Sequence, residues 1–408
     1  MKNKTIYACK ADTRPGPAAV PTGVTPMRNA FARGISACLF PLVLGACAGN
    51  APTAAPTSQV NLIPHANAQW FKLPTEAYKG KQDDIFFVDA QTGFYGNGAG
   101  KIFKTVDGGQ HWTLVLNKPG TYVRALGFVD AQLGFAGNIG TEYFPGVTDT
   151  TPLYRTVDGG ATWSPVTGLS GPQVKGLCAI DILKVGFINA GVLAHRTVVH
   201  AGGRVGGPAY LMRSLDAGTS WKTIDMGPHL AAITDVKFFD EMNGIVVGSD
   251  DASIERSHAV VVSTHDGGQT WQRVYTSARP FELAWKVSFP SRKVGYVTVQ
   301  NYNPDKSVTQ RVVAKSVDGG KSWNELALAD DFAVREFGVA FADEMTGWVG
   351  TSTTGFATTD GGKSWQRVNM GRAVNKIRIV PDGSHYVGYA IGVEVYKFGS
   401  QAQAMTTQ

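Results

Sequence analysis

Short apolar runs alternate with turn-forming residues from residue 69 onward. In six repeats, an apolar run, a polar turn, a glycine-aromatic run, a loop and a second apolar run precede a turn that ends at a tryptophan. Runs of this length, bounded by turn residues, predict β-strands rather than helices. One repeat therefore predicts four short strands, which is the strand content of one β-propeller blade.

The turn before each tryptophan has a nearly constant sequence, as in KSVDGGKSW at residues 315–323, and we call this sequence the box. An Asp side chain can accept backbone N–H groups in a tight turn, and glycine adopts positive φ without steric cost. A motif used six times in one chain is not expected to be one active site. We therefore predict a structural role, rather than metal binding or catalysis, for its aspartates, which are Asp107, Asp158, Asp216, Asp266, Asp318 and Asp360.

The repeats also predict how the fold closes. Three more strands follow the last box, in NKIRIV, HYVGYAIG and VEVYKF, but no box follows them. The segment QWFKL at residues 69–73 resembles the sequence after each box. We therefore predict an all-β, seven-bladed β-propeller of four-stranded blades, closed by an N-terminal strand that completes the last blade and removes an exposed sheet edge.

The N-terminal region has the order of an export signal, with two arginines, an apolar run and then Leu44-Gly45-Ala46-Cys47. Its end resembles the lipobox of bacterial lipoproteins, in which the cysteine matching Cys47 is acylated; an ordinary cleaved signal or an uncleaved anchor is the alternative. We predict a leader at 1–46, with a start at Met27, then a flexible tether at 47–67, a propeller at 68–400 and a disordered tail at 401–408. The expected localisation is periplasmic, with a lipid anchor to a membrane, and the outer membrane is favoured over the inner.

Charge and cysteine content limit the partners. The formal charge is +6, but residues 1–46 hold six Lys or Arg and one acid, which leaves 32 basic and 31 acidic residues. Nucleic-acid binding is therefore not expected. Cys178, the remaining cysteine after Cys47, lies in an apolar strand pattern and is expected to be a buried, inert thiol. No cofactor is expected, and His195, His200 and His258 match no zinc spacing.

Binding is expected at the face opposite the boxes, where the second and third strands of each blade are connected. The spacing between the two turns of each repeat predicts long loops there in the second to fifth blades, including NIGTEYFPGVTDT, LAHRTVVHAGGRVGGPA and SDDASIERSHA. Long loops on a rigid scaffold often bind ligands, although tolerated decoration is the alternative.

Four cations near the starts of the innermost strands suggest a basic channel mouth. Arg124, Lys175 and Lys376 occupy matching positions, and Arg335 lies two residues further upstream. They would attract a carboxylate-bearing segment. Asp83, Thr234 and Trp285 hold equivalent positions in other blades, so the ring is incomplete. The alternative is scattered cations that pair with Asp330, Asp331 or Glu336.

The joint pattern of strand phrase and TVDGGxxW box resembles the photosystem II stability/assembly factor family of Asp-box (BNR) repeat propellers. The resemblance implies a non-enzymatic propeller that binds a membrane protein during assembly, partly through a basic patch here matched by Arg124, Lys175, Arg335 and Lys376; we also expect a monomer. The fifth repeat departs from the pattern at Pro290-Ser291.

A sialidase-like glycosidase is the alternative, because sialidases share the box. That chemistry needs an arginine triad, a Tyr-Glu pair and an acid on the face without boxes. The N-terminal (Phe/Tyr)-Arg-Ile-Pro motif of sialidases is replaced here by WFKLP. A binding propeller is therefore the favoured interpretation.

Overall fold

The computed structural model describes residues 62–189 and 192–400. The predicted leader at 1–46, the proposed lipid site Cys47 and the predicted tail at 401–408 lie outside the described residues, as do residues 47–61 of the predicted tether. None of the described residues forms an α-helix. The fold is all-β, as predicted.

The described strands form seven sheets, which we number in chain order. Sheet 1 contains β3 (Asp84–Phe87), β4 (Gly93–Gly96), β5 (Lys101–Thr105) and β6 (Thr113–Asn117). Sheet 2 contains β7 (Val123–Phe128), β8 (Gly134–Asn138), β9 (Leu153–Thr156) and β10 (Ser164–Pro165). Sheet 3 contains β11 (Leu169–Ser170), β12 (Ala179–Asn189), β13 (Val192–Gly203), β14 (Tyr210–Ser214) and β15 (Trp221–Asp225).

The remaining four sheets follow the same plan. Sheet 4 contains β16 (Ala232–Phe238), β17 (Gly244–Ser249), β18 (Ala259–Thr264) and β19 (Gln272–Thr276). Sheet 5 contains β20 (Glu282–Ser288), β21 (Gly295–Asn301), β22 (Gln310–Ser316) and β23 (Asn324–Asp330). Sheet 6 contains β24 (Glu336–Phe341), β25 (Gly347–Thr351), β26 (Gly355–Thr358) and β27 (Gln366–Val368). Sheet 7 contains β28 (Lys376–Asp382), β29 (His385–Ile391) and β30 (Val395–Gly399), together with β1 (Ile63–Pro64) and β2 (Gln69–Lys72).

Successive sheets pack through the first long strand of each. These strands contact one another in the order β3, β7, β12, β16, β20, β24 and β28, and β28 in turn contacts β3. Flat aromatic stacks join several of the interfaces, because a ring on a second strand faces a ring on the next sheet's first strand. Examples are Phe94 on Phe128, with ring centroids 3.8 Å apart, and Tyr296 on Phe341, at 3.5 Å.

The N-terminal segment contributes to sheet 7. β2 pairs antiparallel with β30, with Trp70 opposite Phe398, as the sequence analysis expected for residues 69–73. β1 lies parallel to the start of β29, and the His65 ring stacks on His385 with centroids 4.4 Å apart. The prediction of a flexible tether is therefore wrong for residues 62–67, because these residues are held by sheet 7.

The third repeat differs from its prediction. The pattern of the other repeats predicts that Asp181 of CAIDILKVGF lies in the polar turn, but it lies within β12, where its carboxylate accepts the Phe238 N–H at 2.9 Å. The predicted long loop at residues 193–209 is mostly strand β13, which pairs with β12 along its whole length. Sheet 3 therefore has a long β12–β13 hairpin and a short connection at 204–209, whereas sheets 2, 4 and 5 have the predicted loops at 139–152, 250–258 and 302–309.

Candidate functional site

The two ends of the sheets carry different features. The boxes lie beside the turns that join the first two strands, since the Gly108 N–H donates to Gln91 O at 2.8 Å. Boxes of neighbouring sheets share this end, because Lys104 and Lys315 reach across to the carbonyls of Gly159 and Gly361. We call this the box end, and the opposite end, where the first strands begin, the strand-start end.

A buried ion-pair network lies where the first strands begin. Arg124 is 5% exposed and forms an ion pair with Asp83, which also pairs with Lys81. Burial would raise the pKa of Asp83, but the Arg124 guanidinium and the Lys81 ammonium hold it below its ordinary value. Burial lowers the pKa of Lys81 to about 8 against the attraction of Asp83. Arg124 is therefore an internally paired cation, which corrects the expectation of a free basic mouth at this position.

A second ion-pair group centres on Asp235 of β16. Lys376 lies 3.3 Å from the Asp235 carboxylate, and Lys286 lies 3.9 Å from it. Burial lowers the pKa of Lys376 to about 8, and it lowers that of Lys286 as well. Lys376 is thus also paired inside the protein and does not lie free at a surface.

An aromatic side chain, Trp285, and an amide side chain, Asn375, lie beside these ion-pair groups. The Trp285 ring lies 5.0 Å from the Arg124 guanidinium and 5.9 Å from the Lys81 ammonium. Its indole N–H donates to Asn375 Oδ1 at 2.8 Å, and Asn375 Nδ2 donates to Asp83 O at 2.6 Å. A cation over an aromatic face gains electrostatic stabilisation, and more so where water is excluded.

Positive charge exceeds negative charge in this region. The central cluster, as we define it, consists of the cations Lys81, Arg124, Lys286, Lys376 and Arg378, the carboxylates Asp83, Asp84 and Asp235, and the side chains of Trp285, Phe337 and Asn375. With all of its charged groups ionised, the cluster holds two more cations than anions. Uncompensated buried charge is costly, and an added anion would offset it.

Loops fold over the strand-start end of the cluster. Val205, Ile254 and Tyr302 pack against Trp285 and Phe337, although they belong to loops of three different sheets. Trp285 is 5% exposed and Phe337 is 9% exposed. The cluster is thereby shielded, which strengthens its electrostatic interactions.

The other two predicted cations lie outside the cluster. Lys175 is exposed and lies 3.4 Å from the Glu142 carboxylate, which is also largely exposed. Arg335 is half-buried, and its guanidinium stacks on the Tyr302 ring at 4.1 Å. Among the described residues, no carboxylate forms an ion pair with Arg335. The structure therefore separates the four predicted residues into a buried pair and a pair near the strand-start surface.

Cys178, rather than Lys175, takes the position in sheet 3 that Arg124 has in sheet 2. The residue before each makes the same contact, since Val123 N–H donates to Asn97 O and Leu177 N–H donates to Asn138 O. Cys178 is 1% exposed and its thiol contacts Arg124. The prediction chose Lys175 because the repeats were aligned on their turn aspartates. Asp181 was counted among these aspartates although it lies in a strand, which moved the alignment of the third repeat by three residues.

Sequence reasoning missed Lys81, Asp235 and Lys286 as members of the site. Asp235 and Lys286 directly follow Thr234 and Trp285, and Lys81 lies two residues before Asp83, which are the positions aligned with the cations. For Asp235 and Lys286 the available signal was a charged residue inside an otherwise apolar first strand, because buried charges in such strands are usually paired.

Each box aspartate accepts hydrogen bonds within its own turn. Asp318 Oδ1 accepts from the backbone N–H groups of Lys321 and Ser322, both at 3.0 Å, and Oδ2 accepts from the Ser322 hydroxyl at 2.6 Å. Burial opposes these bonds, which nonetheless lower the pKa of Asp318 to about 2. The same pattern recurs, with variations, at Asp107, Asp158, Asp216, Asp266 and Asp360.

The carboxyl groups with raised pKa do not resemble a glycosidase pair. Burial raises the pKa of Glu336 to about 8 and also raises that of Glu282, but the two side chains are 0% and 1% exposed. A Tyr-Glu contact does occur, between Tyr275 and Glu325 at 2.7 Å. It lies on the outermost strands β19 and β23, and among the described residues one arginine, Arg279, contacts it rather than three.

The described ranges were searched for clusters of metal-ligating side chains and for membrane-spanning helices. Within 62–189 and 192–400, no group of three or more His, Cys, Asp or Glu side chains is arranged to hold a metal ion. No helix of the length and apolarity needed to cross a bilayer occurs in the same ranges.

The fold is that of known β-propellers. YCF48 bound to a D1 peptide is 17% identical, with a TM-score of 0.54 over 85% of this chain and 100% of that one. YCF48 from Cyanidioschyzon merolae is 16% identical, with a TM-score of 0.54 over 81% of this chain and 99% of that one. An ancestral GH74 enzyme is 13% identical, with a TM-score of 0.56 over 82% of this chain and 46% of that one. No protein-family model and no curated protein matches the chain.

Proposed function

We propose that this protein is a non-catalytic binding propeller that takes an anionic, carboxylate-bearing segment of a membrane or envelope protein at its strand-start end. The observation that carries the proposal is the excess of two cations in the central cluster, beside the incompletely paired Arg335. A ligand carboxylate would form charge-assisted hydrogen bonds with Arg335 and Lys175 near the surface, and its charge would offset the excess charge of the shielded cluster. The structurally similar YCF48, which was solved with a bound D1 peptide, supports peptide binding by this propeller. An assembly or stability role follows by analogy.

The architecture proposed for this role is one seven-bladed Asp-box propeller of four-stranded blades. The seven sheets are the blades, β28 against β3 closes the ring, and β2 supplies the outer strand of the last blade. The box aspartates are turn residues that hold the third strand of a blade to the fourth. A protein of this kind acts as a monomer without a cofactor and does not bind nucleic acid.

The proposed location is the periplasmic side of a membrane, with the outer membrane favoured over the inner. Acylation of Cys47 after removal of the leader would anchor the chain by lipid alone. The lipobox-like sequence at residues 44–47 supports this location.

The binding proposal is tested by fluorescence anisotropy with a fluorescein-labelled peptide that carries three acidic residues and a free C-terminal carboxylate. The double variant Lys175→Glu/Arg335→Glu should weaken binding at least tenfold, and amidation of the peptide should weaken binding to the wild type. The double variant Lys321→Glu/Lys363→Glu makes the same charge change at exposed positions of the box end and should bind like the wild type. The variant Arg335→Gln removes the charge but keeps a polar side chain, so it controls for misfolding caused by the charge reversal. Equal binding by all variants would overturn the proposal.

A further inference from the structure

Exposed apolar side chains are concentrated at the box end. The large hydrophobic residues exposed there have between 40% and 68% of their surface accessible, and they include Val106, Val157, Phe187, Leu193, Leu215, Met242, Val317 and Met345, together with Ile63 of β1. Four of them directly precede a box aspartate, and the two methionines lie in turns between the first two strands of a sheet. Apolar side chains that recur at the same end of sheets 1 to 6 favour a contact surface at that end.

The β12–β13 hairpin extends further than the rest of the box end. Thr197 O accepts the N–H of Ala217 in the box of sheet 3, so Thr197 is the residue of β13 that lies level with the box. Ala194, which pairs with Phe187, lies three residues beyond that level. At about 3.3 Å per residue, the hairpin carries Phe187 roughly 10 Å past the box. This is comparable to the depth of roughly 5–10 Å to which interfacial apolar elements enter a bilayer.

The chain also enters the described fold at the box end. Ile63 N–H donates to Ser384 O in the turn between β28 and β29, and His65 hydrogen-bonds Asp382 at 2.8 Å beside it. Leu62 follows Cys47 by 15 positions, which span at most about 50 Å when fully extended. A lipid on Cys47, as proposed above, would therefore tether the propeller by the end that bears the apolar side chains.

We infer that the box end rests on a lipid surface, which it contacts through this set of apolar side chains. Carboxylates such as Asp89, Asp130 and Asp343 and exposed ammonium groups such as Lys321 and Lys363 both lie at this end, so its apolar side chains, rather than attraction to anionic lipid, carry the inference. Zwitterionic lipid fits the surface better, because burial of apolar side chains contributes there without electrostatic repulsion. The strand-start end then faces away from the membrane, and the partner's anionic segment must extend across the thickness of the propeller to reach it.

An environment-sensitive fluorescent amino acid, incorporated into the full chain at one position at a time, tests this inference. Labels at Val157, Leu193 or Val317 should shift to the blue on phosphatidylcholine/phosphatidylethanolamine vesicles and be quenched by lipids with a spin label near the headgroup. Labels at Lys306 or Thr353, at the strand-start end, should do neither. The triple variant Val106→Ser/Val157→Ser/Val317→Ser should reduce the shift of the Leu193 label.

Three results would overturn the inference. They are the absence of a shift at every label, a shift at the strand-start labels alone, and a box-end shift that depends on protein concentration without vesicles, which would indicate self-association. Because the serine substitutions lie at the other end, anionic-peptide binding should remain intact in the triple variant. Failure of the lipid contact and failure of the proposed function are thereby distinguishable.

Discussion

The imidazole of His200 lies flat against the ring of Phe238, with centroids 3.6 Å apart and planes 3° from parallel. The equivalent interface positions elsewhere hold aromatic pairs such as Phe94 and Phe128. His200 is 0% exposed, and neither ring nitrogen has a hydrogen-bond partner among the described residues. The histidine therefore acts as an aromatic ring that is stable in the fold only when it is neutral.

Acidification should destabilise the protein through His200. Burial, followed by the charges of Arg213 and Lys237, lowers its pKa well below 6.5. The unfolded chain therefore binds a proton at a higher pH than the folded chain, and stability falls as the pH drops below about 6.5. His200→Phe should keep the ring stack and remove this dependence, which urea unfolding of both proteins between pH 7.5 and 5 would measure. His195→Phe, at an exposed position of the same strand, is the control; parallel pH profiles of wild type and His200→Phe would refute the assignment.

The buried hydroxyl two residues before each box aspartate should contribute to stability. Ser316 is 1% exposed, accepts the Gly320 N–H at 2.8 Å and donates to Asp318 at 2.8 Å. Ser316→Ala leaves a buried N–H without a partner and should lower the free energy of unfolding by about 1–3 kcal/mol. Ser307→Ala, at an exposed loop position, should change it by less than about 0.5 kcal/mol. Equal unfolding midpoints for the two variants would contradict the prediction.

Glu336→Gln should stabilise the protein at alkaline pH. Burial raises the pKa of Glu336 to about 8, while its Oε1 accepts the Val312 N–H at 3.1 Å. The folded chain thus holds a proton that the unfolded chain releases near pH 4.5, so this group's contribution to stability falls between about pH 4.5 and 8 and then levels off. A glutamine keeps an acceptor for Val312 without the charge. Thermal denaturation from pH 5 to 9 should show a growing advantage of the variant; a constant difference would argue that Glu336 is ionised at neutral pH.

The stability of the protein should depend on pH in the alkaline range through Lys376 of the central cluster. Burial lowers its pKa to about 8, so between about pH 8 and 10.5 the unfolded chain binds the proton more strongly than the folded chain does. This contribution to stability therefore rises over that window. The wild type should gain stability relative to Lys376→Met from pH 8 to 10.5, whereas Lys363→Met, at an exposed box position, should show no such trend. Unfolding midpoints by circular dichroism would decide between these outcomes.

The strand order was readable from the sequence because its determinants are local. Alternating apolar runs and an Asp-Gly-Gly turn specify strand and turn wherever they occur, and Gly319 and Gly320 indeed adopt positive φ. The N-terminal strand at residues 69–72 was found for the same reason, since it carries the pattern that follows each box.

The third repeat was misread because local pattern and tertiary contact disagree there. CAIDILKVGF contains an aspartate at the spacing of a turn, yet its apolar residues also suit an uninterrupted strand. Asp181 accepts the Phe238 N–H and pairs with Lys237 at 3.0 Å, and both partners lie 56 or more residues away in the sequence. No local signal reports such a pairing.

The candidate site was found only in outline for a similar reason. The sequence gives the order of charged positions along each first strand, but not which charges meet across the centre. Lys376 and Asp235 are 141 residues apart, and their contact forms only when the first strands of sheets 4 and 7 come together in the fold. The charge excess of the cluster could therefore be counted only in the folded structure.

The most direct test of the central claim is site-specific photo-crosslinking to detergent-solubilised envelope membranes. A benzophenone amino acid at Thr353 would lie beside Ser352, which accepts the Arg335 N–H at 2.9 Å at the strand-start end, whereas one at Val317 would lie at the box end. The account predicts that the Thr353 probe crosslinks segments rich in Asp and Glu, or ending in a free carboxylate, and that added peptide of this type competes. Protein crosslinks from Val317 alone, or crosslinks from Thr353 to segments without acidic groups, would contradict it.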